Sequence, residues 1–570
     1  MKTLHKLKEK ESLFNDFYVF DTETKGLRAK SDAFVFGVVY GWNYIKVIYT
    51  VKDFQKEFLK PRYKNKKVFA HNLEYDGGVI YDNIYDVDNK AIFNNRLICF
   101  TNGNCLFADS VNIYPTSVKK LGEIINLEKL EIEDKYKEGS EIKEVTQKMI
   151  DYCIRDCEIV YKALYEIFVK VGSIKITIAG LAMDFFRRKH QPFNIDYNEK
   201  FGNYFHLSYY GGRTECFKIG KTKAVCYDIN SMYPWAMKYT YFPNPRNLSI
   251  RIGVPVKSFI NHYLKYYEGV AEVELFHVEH YFGFLPFRHD GKLLFPTGNL
   301  KGFWNFNELR YAIEKGIISI KHVKRIIYAQ RMKSPFIKYV DELYNEKSSA
   351  QSELEKEVAK KLLNSLYGKF AQRINTENIY ISNIDTEYET IKEYARKKKL
   401  LKIIPFNNER KDCFITVKSN RGYMYHSIPL FSSYITSASR IYLLDFLLKY
   451  QNKIPVYCDT DSIFFEIDPN IKGTNELGDW KKEDKTVVEI RGLKNYSYLS
   501  NGKRLDKIKG VKKTAVKIGD GYHYKSLVRT KEALRRNIEP GIEIEREKIL
   551  KLTYDKRKVL KNGTTTTINF

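Results

Sequence analysis

The chain's 570 residues are too many for one hydrophobic core, and 96 lysines and arginines against 69 acids leave a formal charge of +27. Three or more subdomains are expected, with a polyanionic partner, of which a nucleic-acid phosphate backbone is the commonest. Eight scattered cysteines without a Cys-x-x-Cys pair exclude a zinc ribbon and a secreted disulfide framework. The absence of an apolar h-region in MKTLHKLKEKESLFND, and of any apolar run of about 18 residues, leads us to expect a cytosolic protein with no membrane segment.

Phe17-Tyr18-Val19-Phe20 reads as a strand ending in Asp21-Thr22-Glu23, whose two acids share a face by the period of two. Residues 34–40 form a second β-prone run. Val68-Phe69-Ala70 is another strand, and it ends in His71-Asn72-Leu73-Glu74-Tyr75-Asp76-Gly77-Gly78 on the way into a helix. Ala108-Asp109-Ser110 closes a further short apolar segment. A helix over 146–169 carries a core stripe through Ile150, Cys153 or Ile154, Cys157, Tyr161 and Leu164, with Tyr152 and Asp156 on the opposite face.

Taken singly, Asp21, Glu23, Asp76 and Asp156 read as solvated or capping acids. In this order they resemble the Asp-x-Glu, Asn-x-x-x-Asp and Tyr-x-x-x-Asp motifs of the proofreading 3′-5′ exonucleases. That resemblance implies an RNase H-like domain with two divalent ions on Asp21, Glu23 and Asp156, Asp76 among the catalytic acids, and Tyr152 orienting the attacking water. It also implies that Asn72, His71 and Tyr75 contact the single-stranded primer end, together with Ser110 and its neighbour Val111. Lys135 or Lys137 stands where relatives carry a catalytic lysine.

Further along, Tyr209-Tyr210-Gly211-Gly212-Arg213 places two glycines where a backbone can approach a phosphate chain, with Arg213 able to pair with it. The segment reads as a turn or as a hinge against the template strand. Val225-Cys226-Tyr227-Asp228-Ile229-Asn230-Ser231-Met232-Tyr233-Pro234 is a strand ending in an acid, then a turn into a helix. Asp228 offers a carboxylate, Ile229 a backbone carbonyl, and the amides beyond them a triphosphate cradle. Tyr233 is placed to lie under a sugar and exclude a 2′-hydroxyl.

A helix over 335–348 ends in Lys347, a second phosphate contact. Residues 351–370 form an amphipathic helix with Leu354, Val358, Leu362 and Leu366 buried, and with Lys360, Asn364 and Tyr367 on the far side. A cation for the triphosphate and a ring for the base are what a nucleotide-binding helix requires; a plain solvated face would mix Glu and Lys. After a helix over 427–450, Val456 to Glu466 reads as a strand, a tight polar tip and a returning strand. Asp459 and Asp461 at that tip repel one another unless a hard cation such as Mg²⁺ sits between them. Alone, Asp-x-Asp is an ordinary polar hairpin; Asp228 supplies the partner it lacks. The lysine-rich run 503–517, with Asp506 its one acid, suits salt-sensitive phosphate tracking.

Asp228-Ile-Asn-Ser-Met-Tyr-Pro, the stretch 360–368 and Tyr457-Cys-Asp-Thr-Asp-Ser resemble the palm and fingers motifs of family B DNA polymerases. Asn-Ser-Leu-Tyr-Gly-Lys-Phe with Tyr-Cys-Asp-Thr-Asp-Ser is similar to the protein-primed branch, the phi-29 type of small bacteriophages with linear genomes. Lys494-Asn495-Tyr496 resembles the primer-gripping Lys-x-Tyr motif, in which Lys494 and Tyr496 would contact DNA.

The resemblance implies an α/β and α+β multidomain chain, an RNase H-like exonuclease followed by a right-hand polymerase with two terminal-protein-region insertions. The expected boundaries are 1–175 for the exonuclease, 176–240 for a linker and the first part of the palm, and 241–331 for a first insertion that contacts the priming protein. Fingers follow at 332–371, a second insertion for strand displacement at 372–424, the rest of the palm at 425–516 and the thumb at 517–570. Two Mg²⁺ or Mn²⁺ ions per site, with Asp228, Ile229 and Asp461 as polymerase ligands and Asp459 assisting, would act on DNA template, primer and dNTPs. A terminal protein would serve as primer, with the enzyme a monomer or a heterodimer with it, in the host cytoplasm if viral. The alternatives are a DNA-primed family B enzyme and a catalytically silent DNA-binding scaffold; the two insertions and the full set of acids argue against them.

Overall fold

The computed structural model of the protein describes residues 1–8, 16–26, 29–81, 88–93, 96–131, 144–373, 377–407, 411–418, 423–512, 514–519, 521–528, 532, 536, 542–550 and 554–570. Near the N-terminus, seven strands form a mixed sheet in the order Tyr44–Ile48, Phe34–Gly41, Phe17–Thr24, Lys67–Ala70, Cys105–Asp109, Arg96–Asn102, Asp88–Phe93. Its two central junctions, around Lys67–Ala70, are parallel. The strand Phe17–Thr24 is apolar on both faces, as a strand covered on both sides must be. Across one face lies the helix Gln147–Val171, capped by the Thr146 side chain and stopped by Gly172 in the left-handed region at φ 67°. Cys153, Cys157, Tyr161 and Leu164 of the expected stripe are all buried.

A second, fully antiparallel sheet runs Thr214–Cys216, Pro455–Asp459, Ser462–Phe465, Gly220–Ile229, Trp480–Gly492, Asn495–Ser500, Lys503–Ile508. The helix Pro429–Lys449 packs behind it. This helix has hydroxyl and apolar residues buried all round, the mark of an interior helix. Between Phe242 and Met332 the chain builds another sheet, from Phe242–Pro243, Ser249–Ile252, Tyr267–His277, Gly298–Asn305 and Ile318–Met332, with the helix Phe306–Glu314 against it. Two antiparallel helices follow, Ile337–Ser349 and Glu353–Ser365, the latter opened by a capping box at Ser352 and Glu355. Glu377–Asn383, Asp412–Lys418 and Leu400–Asn407 make a three-stranded sheet, with the helix Tyr388–Arg396 before its last-named strand. Among the described residues no helix is long and apolar enough to cross a membrane, and all eight cysteines are buried.

The last fifty residues, expected as one small unit, divide. Val516–Ile518, Gly521–Leu527 and Glu543–Ile549 pair with one another. The final stretch instead docks on two sheets: Lys218, beside the second, bridges Thr564, and Thr297, just before Gly298–Asn305 of the sheet between Phe242 and Met332, bridges Asn569. Gly298, at φ 92°, is where this tail crosses, and a Cβ there would lie 2.1 Å from the Phe570 carbonyl. The same docking explains a buried triad. Glu215 takes Arg213 at 2.5 Å on one side and Arg557 at 3.5 Å on the other, all three nearly inaccessible.

Removing one member of such a set leaves an unpaired buried charge, at a cost of about 3–5 kcal/mol. Glu215→Ala, which strands two guanidinium groups, should lower the melting temperature and speed amide exchange over 554–570. Unchanged exchange there would show that the triad does not anchor the tail.

Candidate active sites

The first site lies on the strand Phe17–Thr24. Asp21 and Glu23 pair with Val38 and Phe36 in the adjacent strand and lie on one face, where the helix Gln147–Val171 brings Cys153 and Asp156. Asp76 enters from the helix Leu73–Tyr81 and accepts hydrogen bonds from the Thr22 amide (3.2 Å) and hydroxyl (2.7 Å). Burial, then the Asp156 charge, raises the Asp21 pKa to about 7. Burial, then Asp21 and Asp156, raises Glu23 to about 8. Burial also lifts Asp76 well above the usual carboxylate range, and Asp156 upward.

Two residues that the motifs alone do not reveal complete this cluster. Lys129 ion-pairs with Asp156 through its Oδ2 and stands 4.4 Å from the centre of the Tyr152 ring. Despite its own burial, the Asp156 charge keeps this ammonium protonated to higher pH than usual. Lys135 and Lys137, the sequence candidates for this role, lie outside the described residues. Cys153 is the other residue, its thiol donating to Asp21 at 3.8 Å. Asp156 Oδ1 is buried and has no hydrogen-bond partner. Crowded, buried acids with an orphaned carboxylate oxygen are a donor set that fits a divalent cation.

The expected strand contacts divide. Asn72, exposed and at φ 92°, and Tyr75 line a cleft of about 570 Å³, whose far wall carries Lys512, Tyr524 and Arg546. Two expectations are corrected. His71 has both ring nitrogens engaged, with the Ser110 hydroxyl at 2.9 Å and the Thr116 carbonyl at 2.6 Å, so its polar atoms are spent on the loop. Ser110 is 1 % exposed and donates to the Ala70 carbonyl, which removes it from any strand passing outside. The neighbouring Val111 amide donates to Asp109.

In the second site Asp228 ends the strand Gly220–Ile229 directly opposite Ser462, beside the tip Asp459-Thr460-Asp461. The Ile229 amide donates to the Asp461 carbonyl at 2.8 Å, which ties the two chain segments together at the acids. Burial, then Asp461, raises Asp228 to about 7; burial, then Asp459, raises Asp461 to about 6. Between the two acids of the tip Thr460 turns left-handed at φ 67°. Asp459 closes its strand, and Lys494 grips both its oxygens at 2.9 and 2.8 Å.

Around these acids the expected nucleotide contacts gather. Ser231, at φ 56°, bends the chain from strand into the helix Met232–Tyr239. The Lys347 ammonium donates to Asn230 (3.2 Å) and Ser231 (3.1 Å). Burial, then Lys360, Lys356 and Lys481, pulls its pKa down, so it sits in a field of cations that an anion would relieve. Tyr233 and Tyr367 stack at 4.3 Å and 21°. Lys360 and Asn364 are exposed on the same helix face.

The glycine pair lies against the tip: a Cβ on Gly212 would stand 2.7 Å from Thr460 Cγ2, whereas Gly211 is exposed with open space beside it. Tyr209 is half-buried next to them. Arg213 is corrected. At 1 % exposure it is committed to Glu215 and the Gly283 carbonyl, so it cannot meet a template phosphate. A different cation holds the loop: Arg440, paired with buried Glu308, donates to the Tyr210 and Gly211 carbonyls at 2.7 and 3.0 Å. Tyr496 is corrected as well. Its ring is 8 % exposed and packs on Tyr457 and Phe464, so it serves the core beneath Lys494 rather than a primer.

The raised carboxyl pKa values carry a sign. An acid that binds its proton more tightly when folded loses stability as pH climbs from its unfolded value near 4 to its folded value. For Asp21 and Glu23 that window closes at about 8. In chelator, the melting temperature should therefore fall between pH 5 and pH 8.5, and Asp21→Asn should recover about 1 kcal/mol or more at the upper end and nothing at the lower. Millimolar Mg²⁺ should act in the same direction. Parallel wild-type and Asp21→Asn profiles would contradict this account.

Comparison with known proteins places the chain. The probable DNA polymerase of Neurospora intermedia is 27% identical over 517 residues, covering 75% of this chain; the chain spans 51% of that relative's length. The DNA-directed DNA polymerase of Enterobacteria phage PRD1 is 26% identical over 429 residues, covering 71% of this chain and 68% of the relative. In fold the chain is similar to the phi29 DNA polymerase complexed with primer-template DNA and incoming nucleotide, with a TM-score of 0.67 at 17% identity, over 94% of this chain and 99% of that one. The chain thus has the multidomain, mixed α/β fold of that polymerase. The model of DNA polymerase type B, organellar and viral, matches residues 125–452, more than half of the sequence, and the chain belongs to that family.

Proposed function

We propose that the protein is a template-directed DNA polymerase with its own proofreading 3′-5′ exonuclease, and that it starts synthesis on a terminal protein. The observation that carries the reading is Asp228 facing the Asp459–Asp461 tip across one ladder, with the Tyr233–Tyr367 stack and Lys347 beside it. Two divalent ions at each site, Mg²⁺ or Mn²⁺, would be held by Asp228, Asp461 and the Ile229 carbonyl, and by Asp21, Glu23 and Asp156. They would supply charge neutralisation at the reacting phosphate and a more acidic attacking oxygen.

The protein's own groups do the rest. Lys347 and Lys360 offset the triphosphate charge, with Asn364 on the same helix face. Tyr233 forms a floor under the sugar, and Tyr367 extends it towards the base. Lys494 lies at the primer end, and Gly211 with Gly212 lets the template backbone pass close to the tip. At the exonuclease, Lys129 partly offsets the burial that favours the protonated form of Asp156, Tyr152 orients the attacking water, and Asn72 with Tyr75 receives the frayed strand. Residues 241–331 are the surface offered to the priming protein, 372–424 close around the strands during displacement, and 516–549 form the thumb. The working unit is a monomer or its heterodimer with the primer, soluble in the host cytoplasm if viral.

Asp461→Asn should cost about 1000-fold or more in incorporation, the equivalent of several kcal/mol of transition-state stabilisation, and leave single-strand degradation intact. Asp21→Ala with Glu23→Ala should do the reverse. Equal loss of both activities in either variant would refute two separate sites. Tyr233→Val should admit ribonucleotides, measured as the ratio of rNTP to dNTP incorporation; an unchanged ratio removes the floor role. Protein priming is tested with linear genome ends, labelled dATP and partner proteins, where a nucleotide covalently attached to protein is the expected product.

A further inference from the structure

Cys153 stands in the first acid cluster without a part in the chemistry above. One ligand atom each from Asp21, Glu23 and Cys153 lies within 4.8 Å of the others, and the Cys153 sulfur is 3.8 Å from Asp21 Oδ2. Two ligands on one tetrahedral zinc ion, sulfur at about 2.3 Å and oxygen at about 2.0 Å, sit about 3.5 Å apart, so the Cys153–Asp21 pair needs a shift of only a few tenths of an ångström, and Glu23 has to move in from within 4.8 Å. A second observation points the same way. Asp156, three residues on along the same helix, is 6 % exposed and leaves Oδ1 buried without a partner. The helix therefore presents a sulfur and an uncommitted carboxylate oxygen to the two strand acids, which are half-buried and leave a way in.

We propose that this site binds a thiophilic divalent cation, of the Zn²⁺ or Cd²⁺ class, with Cys153 as sulfur ligand beside Asp21 and Glu23, and with Asp156 on the next turn of the helix adding negative charge. Mg²⁺ has no use for sulfur, whereas a thiolate strongly favours zinc over a hard ion in the same carboxylates. Coordination releases the thiol proton to solvent and changes no oxidation state. The second site is different in kind. Among the described residues no such group joins a cysteine to Asp228, Asp459 or Asp461, although Cys226 and Cys458 are close in sequence. Zinc at low concentration should thus silence degradation while synthesis continues, uncoupling copying from correction. That consequence rests on the exonuclease reading; the sulfur ligand does not.

The test uses the full chain, stripped with chelator and titrated with Co²⁺. One equivalent should give a near-ultraviolet sulfur-to-cobalt charge-transfer band, which is kept in Cys226→Ser and Cys458→Ser and lost in Cys153→Ser and in Asp21→Asn. In excess Mg²⁺, the Zn²⁺ concentration that halves degradation should rise at least ~10-fold in Cys153→Ser, each variant scaled to its own zinc-free rate. No band in the wild type, or a band that survives Cys153→Ser, overturns the proposal. Should Cys153→Ser fail to fold, the wild-type and Asp21→Asn spectra decide. Mg²⁺-dependent degradation without a band would sink the sulfur ligand and keep the exonuclease, and a band without degradation the opposite.

Discussion

Like charges held close together in a poorly hydrated place set the terms for this protein. Asp21, Glu23 and Asp156 in one place, Asp228 and Asp461 in the other, all have their protons held more tightly than in water because burial and mutual repulsion penalise the charged forms. Such an arrangement is costly to fold and persists only if the surrounding structure over-determines it. In both places the over-determination comes from sheet pairing at the acids themselves, Asp21 and Glu23 opposite Val38 and Phe36 and Asp228 opposite Ser462 and Lys481. Asp228 sits opposite Ser462 and is tied to the Asp461 carbonyl through Ile229, so the acids cannot drift apart without breaking sheet pairing.

The same economy governs the cations. A chain with a formal charge of +27 nevertheless buries several of its arginines. Arg213 and Arg557 close on Glu215, Arg440 on Glu308, and Arg310 with Arg331 on Glu268. Apart from Arg213 and Glu215, which are two residues apart, these pairs join segments distant in sequence. Planar guanidinium groups with several fixed donors suit this better than lysine. The lysines are left to the surfaces and the mouths of the sites, where Lys347, Lys360 and Lys512 stand.

Much of this could be read from the sequence where a local rule coincides with the tertiary one. The acid-terminated strands, the amphipathic helix after Ser352 with its buried Val358, Leu362 and Leu366, and the hairpin around Asp459 follow from periodicity and turn chemistry, and the structure has them. Errors arose where a side chain's type was clear and its surroundings were not. Arg213 and Tyr496 are residues that grip nucleic acid when exposed and build cores when covered, and covering is decided by Arg557's segment and by Phe464, remote in sequence. Ser110 and His71 fail for the same reason, each satisfied by a neighbour across the sheet end. Lys129 was missed because a lysine's reach is long and its partner lies on another element.

The two sites also share a charge balance that sequence motifs do not express. Apart from Asp76, which Thr22 binds through its amide and hydroxyl, and the Glu483–Lys485 pair, which cancels itself, three carboxylates at the first, Asp21, Glu23 and Asp156, face one ammonium, Lys129, and three at the second, Asp228, Asp459 and Asp461, face one, Lys494. With all groups ionised, each set is left formally two minus, which a single divalent cation offsets. A second cation placed there alone would leave an excess of positive charge in a poorly hydrated setting, which is expensive. The negative charge it requires has to come from outside the protein, and the phosphates of a nucleotide or of a strand end carry it. On this balance each lysine does more than orient an acid. Under the proposed function, cancelling one carboxylate in advance would make full occupancy of the site depend on substrate, so that the complete charge set would be assembled only when there is a phosphate to act on.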